Sequence, residues 1–99
     1  MQTIKHIVGD TVNLSIKVEN LSEDATDIYL DLYKRRTSNG LDDRISRISP
    51  TLLNFDTGEV GFHYNSDEFI KRPGTYFGHF HVNNDGTIEN MFYRIKARY

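Results

Sequence analysis

The chain has 99 residues, a formal net charge of −2, 37% apolar and 26% charged residues, six Tyr, six Phe and no cysteine. That length makes one domain, residues 1–99, with room for a single core. The missing cysteines exclude disulfides, thiolate zinc sites and cysteine nucleophiles, and near neutrality supplies no basic stripe of the kind a general nucleic-acid binder carries.

Ile4 to Ile7 reads as a short first strand ended by Gly9-Asp10. The opening Met1-Gln2-Thr3-Ile4-Lys5-His6 has no apolar signal core, and no apolar run approaches the ~20 residues that a membrane-crossing helix needs. A soluble protein without a membrane partner is expected. Asn13-Leu14-Ser15 and Asn20-Leu21-Ser22 match the glycosylation pattern, which in the absence of a secretory signal reads as chance. Thr11 to Glu19 carries the cleanest alternation, with Val12, Leu14, Ile16 and Val18 inward. After the polar connection 20–26, Asp27 to Arg36 resumes the period of two. Ile28, Leu30 and Leu32 should face the core, because the opposite parity would bury Asp31 without an evident partner.

Thr37 to Asp43 is a loop by composition, with Asn39-Gly40 as its tightest turn signal. Arg44 to Ser49 reads as a strand whose Ile45 and Ile48 are out of phase, which predicts a bulge or bend before Pro50. Leu52 to Phe55, the turn Asp56-Thr57-Gly58 and Glu59 to Tyr64 make a hairpin, with Val60, Phe62 and Tyr64 on one side. Ser66-Asp67-Glu68-Phe69-Ile70 then has a capping residue, first-turn acids and two large apolar groups, which suits one helical turn at a corner. The Pro73-Gly74 turn leads into a strand in which Tyr76, Gly78, Phe80 and Val82 share one face and Phe77, His79 and His81 the other. Asn83-Asn84-Asp85-Gly86 is a tight-turn signal, and Thr87 to Tyr99 returns as a last strand. Met91, Tyr93, Ile95 and Ala97 are expected inside it, with Phe92, Arg94, Lys96 and Arg98 outside.

Seven to eight strands, short turns and no long helical pattern point to an all-β antiparallel sandwich of immunoglobulin type, with a jelly roll or small barrel as the other architectures open. Gly74 and Tyr76 are then structural, since a Tyr placed there bonds back to the corner's backbone as the chain enters the F strand.

Chemical motifs are sparse. His79 and His81 point to the same side of a strand, but a metal site needs a third ligand, and His63 is expected in the other sheet. Asp42-Asp43 and Asp67-Glu68 are adjacent pairs rather than carboxyls opposed across a cleft, and no nucleophile elbow or phosphate loop occurs. One carboxylate in Asn83 to Gly86 is too little charge for calcium. No catalytic residue, cofactor or metal is assigned. If the strands starting at Asp27, Thr75 and Thr87 share a sheet, its outer face carries Tyr29, Tyr33, Arg35, Phe77, His79, His81, Phe92 and Arg94. Rings with arginine and little lysine are the mixture enriched at protein interfaces. The plainer reading is a set of exposed rings tolerated singly or covered by a loop. Exposed Tyr and Phe would also suit a carbohydrate-binding sandwich at a host surface, stacking on sugar rings.

Three stretches in this order, Gly9-Asp10-Thr11-Val12-Asn13-Leu14-Ser15-Ile16, then Phe69-Ile70-Lys71-Arg72-Pro73-Gly74-Thr75-Tyr76, then Asp85-Gly86 before the final strand, span nearly the whole chain. Together they resemble the immunoglobulin-like N-terminal domain of bacteriophage baseplate upper proteins and related tail-fibre or virion accessory domains. The resemblance implies a non-enzymatic adaptor, made in the host cytoplasm and placed in the virion at a baseplate, tail, neck or capsid. Its partners would be other virion structural proteins or further copies of itself. In that family a longer fibrous or receptor-binding region follows, so a chain stopping at Tyr99 is expected to be either a fragment or a sandwich acting alone.

Overall fold

The computed structural model describes residues 2–37 and 40–99, without the side chains of Arg36, Thr37, Asp42, Asp43 and Asp67. Asn39 of the expected Asn39-Gly40 turn and the Asp42, Asp43 and Asp67 carboxylates therefore lie outside the described residues, whereas Thr37 and 40–43, expected as loop, belong to strands, because Thr37 pairs with Gly40 and the ladder runs on to Arg35 with Asp42. Among the described residues eight strands follow one another: β1 (Gln2–Ile7), β2 (Thr11–Lys17), β3 (Thr26–Thr37), β4 (Gly40–Ile48), β5 (Leu52–Asn54), β6 (Glu59–Asn65), β7 (Gly74–Asn84) and β8 (Thr87–Arg98). A single 3₁₀ turn, Ser66–Glu68, stands between β6 and β7. The strands form a five-stranded sheet of order β1-β8-β7-β3-β4 and a three-stranded sheet of order β2-β6-β5. Among the described residues all pairings are antiparallel except β1 with β8, which run parallel from Gln2↔Tyr93 to Ile7↔Arg98.

Alternation decides what lies between the sheets. Leu30, Leu32, Phe80, Val82, Tyr93, Ile95 and Ala97 of the large sheet meet Ile16, Val60, Phe62 and Tyr64 of the small one. Phe62 stands edge-on to Phe80 across the gap, ring centroids 5.9 Å apart. Each Val, Leu, Ile or Phe among them, taken out of water, contributes about 1.5–3 kcal/mol. The irregular phase of Ile45 and Ile48 has its cause in a bulge: β4 pairs Ser46 with Leu32 but Arg44 with Tyr33, leaving Ile45 without an opposite residue.

Met91 departs from the expected pattern. It is 41% exposed, although its parity is that of buried Tyr93 and Ile95. The reason is length, since β1 covers β8 only from Tyr93 onward and leaves the first half of β8 with an open edge.

Turn chemistry fixes the ends. Asp85 and Gly86 take φ of 51° and 94° in the two-residue β7–β8 hairpin, the mirror-image turn that matches strand twist. At the corner, the buried Ser66 hydroxyl donates to the Ile7 carbonyl at 2.8 Å and accepts from the Gly9 N–H at 3.1 Å, tying the corner to the β1–β2 turn. The Tyr76 hydroxyl donates to the Arg72 carbonyl at 2.8 Å, just beyond Gly74, whose φ is 151°.

One polar ring sits inside. His6 of β1 is 1% exposed, lies edge-on to Tyr64 and shares a 3.0 Å hydrogen bond between its Nε2 and the Tyr64 hydroxyl. Its Nδ1 has no partner among the described residues. Burial holds the imidazole below its ordinary pKa and pushes the Tyr64 phenol up. The unfolded chain therefore takes up a proton, near pH 6.5, before the folded one does, so stability is full above that pH and declines as pH falls toward the lowered folded-state value.

Two measurements follow from this packing. Chemical denaturation of Tyr76→Phe should show a loss of about 1 kcal/mol, the worth of the corner bond. Between pH 7.5 and 5 the wild-type thermal midpoint should fall more steeply than that of His6→Phe, and equal slopes would remove His6 from the account.

Candidate functional site

The middle of the large sheet is built from β8, β7 and β3, and its register decides which side chains meet. Tyr29 pairs with His81, Asp31 with His79 and Tyr33 with Phe77; across the next ladder Phe77 pairs with Arg94, His79 with Phe92 and His81 with Asn90. Because Leu30, Leu32, Phe80 and Val82 point into the core, these residues point outward. Tyr29, Tyr33, Arg35, Phe77, His79, His81, Phe92 and Arg94 thus share one face, as their spacing predicts.

The rings on this face touch. Tyr29 and His81 stack at 4.8 Å with planes 9° apart, and His79 and Phe92 do the same at the same distance and angle. The two stacks are joined edge-on through Tyr29 with His79 and through His79 with His81. The His79 Nε2 donates to the Asn90 side-chain oxygen at 2.6 Å, and the His81 Nδ1 donates to the Asp27 carbonyl at 2.8 Å. These bonds orient the histidines by residues of the same sheet. Among the described residues no group of three His, Asp or Glu could hold a metal ion. The remaining histidine, His63, is exposed on β6 in the small sheet beside Asn13.

The sequence gives no hint of the residue beneath the rings. Asp31 lies on the outer face, yet it is 1% exposed. Arg47 on β4, directly opposite in register, bonds it through two nitrogens at 2.8 and 3.0 Å, and Arg44 approaches to 3.8 Å. The Tyr33 hydroxyl donates to the same carboxylate at 3.4 Å. Burial first, and then the Asp31 charge, raises the Tyr33 phenol above its usual pKa, while the hydrogen bond to Asp31 raises the Arg47 guanidinium. The same guanidinium lies 3.8 Å over the Tyr29 ring. Tyr29 is therefore held between Arg47 on the β4 side and His81 on the β7 side. A carboxylate on the solvent side of a sheet suggests exposure in the sequence; the i to i+16 pairing that buries it is non-local.

The arrangement is a face of rings and guanidinium groups, anchored by one bidentate ion pair. It offers stacking edges, apolar area at the half-exposed Phe92 and a cationic donor at Arg94. No family model matches the chain, and a comparison with curated proteins found no match.

Asp31→Ala should lower the thermal midpoint by several degrees, because it strips Arg47 and Tyr33 of their shared acceptor, while Arg94→Ala on the same face should leave it in place. Calorimetry on the two variants compares them directly.

Proposed function

We propose that the protein is a non-enzymatic adaptor of immunoglobulin type that docks on other virion structural proteins through the outer face of its large sheet. The single observation that carries docking is the stacked set Arg47, Tyr29, His81, His79 and Phe92 on one solvent-facing surface. Rings already ordered by their neighbours lose little conformational freedom when covered, which favours association. Support for the immunoglobulin assignment comes from strand order: β8-β7-β3-β4 match strands G, F, C and C′, and β2-β6-β5 match B, E and D. The Tyr76 bond to the Arg72 carbonyl is the corner bond expected at the start of F. The virion setting, at a baseplate, tail, neck or capsid, is what the resemblance carried by Gly9 to Ile16, Phe69 to Tyr76 and Asp85-Gly86 implies.

The carbohydrate reading fits the geometry less well. Sugar binding uses free ring faces, whereas both faces of Tyr29 and one face each of His81, His79 and Phe92 are spent on neighbours.

The test pairs light scattering with capture experiments from a lysate of the infected host, read by mass spectrometry. Wild type should self-associate or retain a virion structural protein, and Phe77→Asp and Phe92→Asp should each abolish this while keeping the wild-type melting curve, because a charge buried without a partner at an interface is costly. A strict monomer at high concentration that retains no virion protein would contradict the proposal.

A further inference from the structure

A second surface lies at the edge of the same sheet rather than on its face. β8 runs from Thr87 to Arg98, but β1 pairs with it only from Tyr93 to Arg98. On that side Thr87 to Met91 has no strand partner among the described residues. The hairpin fixes which backbone groups this leaves open. Asn84↔Thr87 closes a two-residue loop and is a hydrogen-bonded pair, so alternation turns the N–H and C=O groups of Ile88 and Asn90 away from β7. The Arg98 carbonyl, of the same parity, accepts from the Val8 N–H at 2.7 Å on the β1 side. Ile88 and Asn90 therefore offer the ladder bonds that β1 is too short to take.

Beneath this open edge is a cavity of about 210 Å³ between the two sheets, lined by Lys17, Val18 and Glu19 at the end of β2 and by Phe80, Glu89, Asn90 and Met91. Its floor is apolar, from Val18, Phe80 and Met91, and its rim carries two carboxylates against one ammonium. Met91 is exposed here in spite of its inward parity.

We infer that the Thr87–Met91 edge of β8 is a strand-addition site for an extended segment of a partner polypeptide. The backbone of that segment bonds Ile88 and Asn90. The inward side chain opposite Met91 is large and aliphatic and fills the cavity; the inward side chain two residues away, opposite Glu89, is Lys or Arg. Backbone pairing supplies the attachment, and this aliphatic and basic pair supplies the selectivity. The site differs from the ring face in using the edge and the inward side of β8, and it shares with that face Asn90, whose side chain holds His79.

The probe is a capped seven-residue peptide, Thr-Lys-Thr-Leu-Thr-Lys-Thr, titrated into the full chain with residue-resolved amide exchange as the readout. Exchange at Ile88 and Asn90 should slow at least about tenfold at saturation, while Glu89 and Met91, already bonded to β7, stay unchanged. Ile88→Pro removes an N–H that β7 does not use. It should leave the melting midpoint in place and weaken the peptide at least about tenfold. The site is overturned if millimolar peptide leaves Ile88 and Asn90 unprotected, if protection appears instead along β4 or β2, or if Ile88→Pro binds as wild type does. Protection of Ile88 and Asn90 that depends on protein concentration without peptide would assign the edge to a second copy and would likewise overturn it.

Discussion

A carboxylate buried on the solvent side of a sheet is the constraint from which the candidate surface follows. Asp31 sits between Leu30 and Leu32, which face the core, so the strand that builds the interior also holds an acid out of water on the exterior. Such a group needs partners in good geometry, and Arg47 supplies two bonds from the neighbouring strand. Meeting that need fixes Arg47 over Tyr29, and Tyr29 in turn is backed by His81, beside the His79 and Phe92 stack. One ion pair thus orders side chains on four adjacent strands. The long, mobile arginine is spent as a strut instead of waving in solvent, and the rings it braces present a preformed surface.

The two exposed features of the large sheet have different physical origins. The face is polar beneath and aromatic above, and it is ordered by side-chain contacts. The β8 edge is a backbone feature, created because β1 is half as long as the strand it covers. The two differ in what they can pair with, since a face offers side-chain shape and chemistry while an edge offers backbone bonds to extended chain.

Local pattern was enough for much of the fold. The alternation of Val12, Leu14 and Ile16, of Val60, Phe62 and Tyr64, and of Gly78, Phe80 and Val82 each encodes a face, because a half-buried strand has a period of two. Asp85-Gly86 encodes its turn through the positive φ both residues tolerate. The phase error at Ile45 and Ile48 already announces the bulge. Three features escaped such reading, all for the same reason. His6 is inside because Tyr64, 58 residues later, receives it. Asp31 is buried because a bulged β4 brings Arg47 opposite it. Met91 is exposed because of where β1 begins its pairing. Each depends on which strands become neighbours and in what register, and periodicity within one strand carries no record of that. The eight residues of the face were legible from parity, whereas the carboxylate that orders them was not.

Nuclear Overhauser contacts at neutral pH between the Arg47 side chain and the Tyr29 ring, and between that ring and the His81 imidazole, test the bracing of the face by Asp31 most directly. The account predicts both sets of contacts in the wild-type protein, together with slow solvent exchange of the Arg47 Nε proton, and their loss in Asp31→Ala. A Tyr29 ring free of Arg47 and His81, with an Arg47 Nε proton exchanging as fast as that of an exposed arginine, would contradict it.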